Sequence, residues 1–190
     1  MRYQSHKIEI KFKGVNSLLK YSKPLYEDFI QYFILNSSGI QHTKIKKITI
    51  NFKALKKNEI GHVSYGKINL SNIDVVIAKN ASDLFTLKYI AHELTHVNQI
   101  IEGDLAIVMS KTEEPYFVWK QKQRYTLNYY NDLVKQSKLE EYKQLPWEQE
   151  AYLNQDKLPE MYFESEKFTD LVRYTTEPNL QFILKYIKPN

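Results

Sequence analysis

Alternation of apolar and polar residues predicts strands in the N-terminal part of the chain. In His6–Phe12 and Lys44–Phe52 every second residue of the central run is apolar, as in a strand with one buried face. Asn72–Lys79 is rich in β-branched apolar residues and is predicted as a buried strand. His62–Leu70 is predicted as two short strands, or one bent strand, around Gly66.

A period of 3.6 residues predicts helices elsewhere. One helix begins near Ser22-Lys23-Pro24, carries an apolar stripe, and ends before Gly39. A second helix covers Ser82–Gly103, with a polar cap and a closing glycine. From Asp104 onward the chain is predicted to be helical, with a break at Pro115 and a new helix opening at Pro146.

This order of elements predicts an α+β fold. We expect a small mixed sheet packed against the central helix Ser82–Gly103, with further helices C-terminal to it. The chain has 190 residues and shows no repeat, linker or low-complexity tract, so residues 1–190 are predicted to form one domain.

The central helix contains the motif H-E-x-x-H, as His92-Glu93-Leu94-Thr95-His96. Residues at i and i+4 lie about 40° apart around a helix, so both imidazoles can bind one metal ion. Glu93 points to the same side and is placed to activate a water molecule rather than to bind the metal. Apolar residues occupy the opposite face, and we expect the helix to be covered on both sides. The apolar face consists of Leu87, Ile90, Leu94, Val97 and Ile101.

The ligand types favour zinc. Imidazole nitrogens with a carboxylate suit Zn²⁺, and the chain contains no cysteine to supply sulfur. A catalytic zinc needs three protein ligands, and no histidine follows His96 in the sequence. The third ligand is therefore predicted to be a downstream acid.

Glu150 is the preferred third ligand. Ala151 beside it would allow a close approach to the metal helix, and Asn154 lies on the same face, where it could hydrogen-bond a ligating histidine. Glu148 stays as an alternative, although it points about 200° away from Glu150 around a helix. Two other acids, Glu113 and Glu114, are rivals that lie closer to the motif in sequence.

The motif and a downstream glutamate on a helix resemble the gluzincin metallopeptidases, the class of thermolysin. A closer resemblance is to small metallopeptidases of bacteriophage genomes, which look like H-E-L-x-H-V-x-Q, then W-K and a tyrosine, then L-P-W-E-x-E-A. The matching parts of this chain are His92–Gln99, Trp119-Lys120, Tyr125 and Leu145–Ala151. The resemblance implies a minimal zincin fold, a zinc ion and a phage or prophage origin, and it favours Glu150 as ligand.

The function that follows is hydrolysis of peptide bonds in a protein or peptide substrate. Zinc held by His92, His96 and Glu150 would activate a water molecule, and Glu93 would act as general base. A tyrosine is expected to stabilise the oxyanion. The candidates are Tyr125, Tyr142 and Tyr152. Substrate is expected to add to an edge strand within His62–Leu70, which could instead be an internal hairpin.

Charge and composition limit the partners. The net charge is +5, but nearly all the positive charge is lysine interleaved with acids, which disfavours nucleic acid as a partner. The alternatives are a non-catalytic zincin-fold interaction or virion-associated protein, and a nucleic-acid-associated protease. The sequence lacks a long apolar run and a signal peptide, so we expect a cytoplasmic protein, in a bacterial host if phage-encoded. Its oligomeric state stays open.

Overall fold

The computed structural model describes residues 8–15, 19–37, 40, 45–55, 61–64, 71–79, 81–109, 112–136 and 138–187; for 61–64 it describes the backbone only. The fold is α+β, as predicted. Within the described ranges, no helix is both long and apolar enough to cross a membrane.

A four-stranded sheet carries the N-terminal strands. Its strands are β1 (Glu9–Lys13), β2 (Lys47–Lys53), β3 (Gly61–Ser64) and β4 (Asn72–Ala78), in the order β1-β2-β4-β3. Strands β1, β2 and β4 are parallel, and β3 runs antiparallel to β4. The predicted strands at these places are confirmed, except that residues 65–70 of the predicted segment His62–Leu70 lie outside the described residues.

Seven helices are present in the described residues. They are α1 (Leu19–Asn36), α2 (Asp83–Glu102), α3 (Leu127–Lys135), α4 (Leu139–Lys143), α5 (Pro146–Phe163), α6 (Glu166–Tyr174) and α7 (Pro178–Ile187). Helix α1 begins before the predicted position, so that Pro24 lies inside it. Helix α2 matches the prediction, because Ser82 precedes it in an extended conformation and Gly103 ends it at a left-handed φ of 78°.

The prediction of helix directly after Asp104 is wrong. This part of the chain instead contains a three-stranded antiparallel sheet of β5 (Leu105–Val108), β6 (Tyr116–Trp119) and β7 (Gln123–Thr126). Helix α2 ends at Gly103, and three aromatic side chains of the sheet pack against Trp147, namely Phe117, Trp119 and Tyr125. Burial of this aromatic face outweighs helix propensity, which is weak over such short segments.

Two hydrophobic clusters lie around α2. The larger cluster joins the four-stranded sheet to α1, α2 and the C-terminal helices. The smaller cluster contains Leu105, Trp119, Leu133, Leu145 and Trp147. Every residue of α2 from Ile90 to Val97 is buried, so the motif is enclosed on both sides, as predicted.

Candidate metal centre

His92 and His96 lie side by side on one face of α2. Their Nε2 atoms are 3.2 Å apart, and their rings meet nearly at right angles. The two residues are only 4% and 9% exposed. The helical spacing of the motif therefore brings both imidazoles together within the protein interior.

Glu148, in the first turn of α5, completes the group. Its Oε2 lies 3.3 Å from His92 Nε2, and its Oε1 lies 3.5 Å from His96 Nε2. The three side chains can each offer one ligand atom, and these atoms all lie within 4.8 Å of one another. Within the described part of the chain, these residues form a buried group that could hold a metal ion.

The third residue of the group is Glu148, and not Glu150, which the sequence favoured as the third ligand. Glu150 is not part of the group, and its Oε2 accepts a hydrogen bond of 2.9 Å from Gln99. Helix α5 packs on α2, and Ala151, which is three residues after Glu148 and shares its face, is fully buried. The buried face of α5 therefore carries Glu148, whereas Glu150 lies about 200° further around the helix.

The other predicted acids do not join the group. Glu113 and Glu114 are exposed, and Glu114 accepts a hydrogen bond from the backbone N–H of Asn128. The hydrogen bond to a histidine that we expected from Asn154 is made to His96 Nδ1 by Gln99 instead. Gln99 was missed as a functional residue, although its position three residues after His96 places it on the same face of the helix.

Glu93 is buried next to the group, with 4% of its side chain exposed. Its negative charge contributes to raising the pKa values of His96, Tyr130 and Tyr152. The carboxylate therefore lies within electrostatic range of both histidine and tyrosine side chains.

The candidate tyrosines lie in three different environments. The ring of Tyr152 lies 4.8 Å from that of His92, at 70°. Tyr142 donates its hydroxyl proton to Glu148 Oε1 over 2.6 Å. Tyr125 packs edge-on against Trp147 at 5.0 Å and donates to Gln123, so its recorded contacts belong to the smaller hydrophobic cluster. Tyr142 and Tyr152 are thus the two candidates that touch the group.

The titration of His96 and Glu148 reflects their attraction. Burial is the largest single influence on His96 and lowers its pKa. The charge and hydrogen bond of Glu148, the charge of Glu93 and the hydrogen bond to Gln99 together outweigh burial and raise this pKa to about 9. Burial alone raises the pKa of Glu148, but the charge of His96 and hydrogen bonds from both histidines lower it to about 2. For His92 burial dominates and lowers the pKa. Without a metal, a protonated His96 faces an ionised Glu148 at neutral pH.

The donor atoms suit zinc in type and in spacing. Two atoms bound to a tetrahedral zinc at about 2.0–2.1 Å lie roughly 3.3 Å apart, and the two histidine Nε2 atoms are separated by 3.2 Å. Glu148 approaches them at 3.3 and 3.5 Å through its two different oxygens, and one ligand atom from each residue lies within 4.8 Å of the others. Glu148 Oε2 is buried and faces His92 Nε2 at 3.3 Å, but among the described residues no donor satisfies it with a well-aligned hydrogen bond. An acceptor atom buried in this way is well placed to bind a cation.

Comparisons with protein-family models, with curated proteins and with solved structures gave no match. The resemblance to gluzincin and phage-type metallopeptidases therefore stays a prediction from the sequence.

Proposed function

We propose that this protein is a zinc-dependent metallopeptidase in which His92, His96 and Glu148 hold the metal. The observation that carries the proposal is the buried group of two imidazoles and a carboxylate with Glu93 in the same helical turn. A zinc ion bound there would lower the pKa of a water molecule and polarise the scissile carbonyl. The phage or prophage origin and the cytoplasmic location stay part of this proposal.

Glu93 supplies the proton transfers. Its carboxylate accepts a proton from the attacking water and delivers it to the leaving amine. Glu93 adjoins His92 in the motif and is not one of the three residues that could hold the metal ion. Burial of the side chain keeps bulk water from competing for the proton.

Tyr152 is the preferred donor to the oxyanion. Tyr142 already donates its hydroxyl proton to Glu148. Burial, with the charges of Glu148 and Glu93, raises the pKa of Tyr152 to about 12. Its hydroxyl therefore keeps its proton at neutral pH and can donate a hydrogen bond to a developing negative charge.

Strand β3 is the proposed site of substrate addition. It forms one edge of the four-stranded sheet among the described strands, and it contacts α2, which carries the histidines. An extended peptide can pair with such an edge through backbone hydrogen bonds. The alternative of an internal hairpin involves residues 65–70, which lie outside the described residues, and it stays open.

The test of catalysis is Glu93→Gln. Because this change removes the general base and keeps the side-chain shape, we expect bound zinc to be retained and cleavage of an unfolded protein mixture to fall by about 10²–10⁴-fold. Peptide products would be identified by mass spectrometry, and zinc by elemental analysis.

Glu102→Gln is the matched control, because it makes the same change at an exposed position of α2. It should leave cleavage at the wild-type level. Cleavage by Glu93→Gln at the wild-type rate would remove Glu93 from the mechanism.

The closure of the site favours a second candidate, a non-catalytic metal centre. Glu93, His92, His96 and Glu148 are each at most 9% exposed, whereas a catalytic metal keeps one position open to water or substrate. Zinc-loaded protein that cleaves nothing in a diverse unfolded mixture would favour this candidate.

A further inference from the structure

We propose that Gln99 is a positioning residue that orients His96 toward the metal and connects it to the helix that carries Glu148. This inference rests on the proposed metal site. Gln99 is 2% exposed, and three hydrogen bonds hold its amide.

The partners of the Gln99 amide determine which way it faces. Its Nε2 donates to the carbonyl oxygen of Trp147 over 3.0 Å and to Glu150 Oε2 over 2.9 Å. A carbonyl and an ionised carboxylate only accept, so both must meet the NH₂ group. The amide oxygen is thereby left to face His96 Nδ1, at 2.9 Å.

This orientation determines which nitrogen of His96 binds the metal. An amide oxygen only accepts, so Nδ1 of His96 must carry the proton and donate it. Nε2 is the nitrogen that faces His92 and Glu148. Gln99 therefore selects the form of His96 whose Nε2 lone pair can bind a metal.

The same hydrogen bonds connect two ligands across the helix pair. Gln99 lies on α2, whereas Trp147 and Glu150 flank Glu148 in the first turn of α5. Movement of this turn would shift Glu148 and Gln99 together. Glu150, the acid that the sequence favoured as ligand, thus acts through Gln99 on His96.

The test compares Gln99→Met with Lys88→Met. Gln99→Met keeps side-chain length and removes all three hydrogen bonds. Lys88→Met removes the ion pair with Asp156, at 2.7 Å, which also joins α2 to α5 but involves none of the three ligands. Zinc affinity would be measured by competition with a chelator, and the imidazole N–H signals of metal-free protein by NMR of ¹⁵N-histidine-labelled samples.

We expect zinc affinity to fall about tenfold to a hundredfold in Gln99→Met, and to be unchanged in Lys88→Met. The Nδ1–H proton of His96 should exchange slowly in the wild type and in Lys88→Met, where Gln99 accepts its hydrogen bond. Its signal should be lost to faster exchange with water in Gln99→Met. If Gln99→Met does not fold, Glu150→Leu removes one anchor of the amide and should weaken zinc binding by a smaller factor.

The positioning role would be overturned if Gln99→Met, or Glu150→Leu where that variant replaces it, bound zinc with the affinity of the wild type. That result would leave the proposed metallopeptidase standing. The same Nδ1–H signal in the tested variant and the wild type would also overturn it. A wild type that binds no zinc but shows the signal, lost in the variant, would overturn the metal site while supporting the orientation of His96 by Gln99.

Discussion

Glu148 and His96 hold opposite charges in a site from which water is largely excluded. Glu148 is 2% exposed and His96 is 9% exposed. Each charge shifts the pKa of the other, to about 2 for the carboxyl and about 9 for the imidazole. Since such shifts are differences between folded and unfolded states, they make the stability of the metal-free protein depend on pH.

The His96–Glu148 pair should stabilise the metal-free protein most between pH 4.5 and 6.5. The raised pKa of His96 gives stability that is complete below its ordinary value of 6.5 and is lost as the pH rises through 9. The lowered pKa of Glu148 gives stability that is complete above its ordinary value of 4.5 and is lost as the pH falls through 2. Chemical denaturation in a chelating buffer would measure the free energy of unfolding across this range.

Glu148→Gln is the comparison, because it keeps the shape of the side chain and removes its charge. We expect the difference between wild type and variant to shrink toward pH 9. A difference that is constant from pH 5 to 9 would show that the pair is not charged as described.

The choice between Glu148 and Glu150 illustrates what the sequence could and could not supply. Helical spacing alone paired His92 with His96, because both lie within one element. The third ligand depends on the rotation of a second helix, α5, about its axis as it packs on α2. Glu148 and Glu150 lie about 200° apart around α5, so only one of them can face the histidines. The local sequence does not show which one does.

Secondary-structure elements, too, could be predicted where their own sequence determines them and could not where distant contacts do. The strand and helix order up to Gly103 followed from hydrophobic periodicity, since each element there is long or strongly patterned. The sheet of β5 to β7 did not, because its strands have four residues each and are stabilised by contacts with Trp147 on distant α5. Short strands carry too few residues for their period to be read.

The end of β1 depends on a glycine. Gly14 adopts a φ of 69°, and a Cβ atom built there would overlap the carbonyl oxygen of Phe52 at the end of neighbouring β2. An L-residue at such a φ costs about 1–2 kcal/mol, and the overlap adds to this cost. Gly14→Ala should therefore lower the free energy of unfolding by more than that strain alone.

Gly103→Ala is the matched control for this element. Gly103 also has a positive φ, of 78°, but no atom lies within 4 Å of the added Cβ. Its substitution should cost only the strain of about 1–2 kcal/mol. Equal losses in the two variants, measured by denaturant unfolding, would contradict the close approach of β1 and β2.

In the described residues both hydrophobic clusters include residues that pack against α2. The candidate metal centre lies between α2 and α5, where the polar side chains of His92, His96 and Glu148 come together. The larger cluster holds α2 against the four-stranded sheet, while the smaller cluster anchors the first turn of α5 through Trp147. Both ligand-bearing elements are thus supported by buried apolar residues. Such support allows three polar side chains to stay close together before a metal binds.

The most direct test is the zinc content of purified protein after reconstitution with excess zinc and removal of free metal. We predict about one zinc per chain in the wild type and in Glu150→Ala, and its loss in His96→Ala and Glu148→Ala. Zinc retained in Glu148→Ala but lost in Glu150→Ala would contradict the ligand set. A wild type without zinc would contradict the metal centre itself.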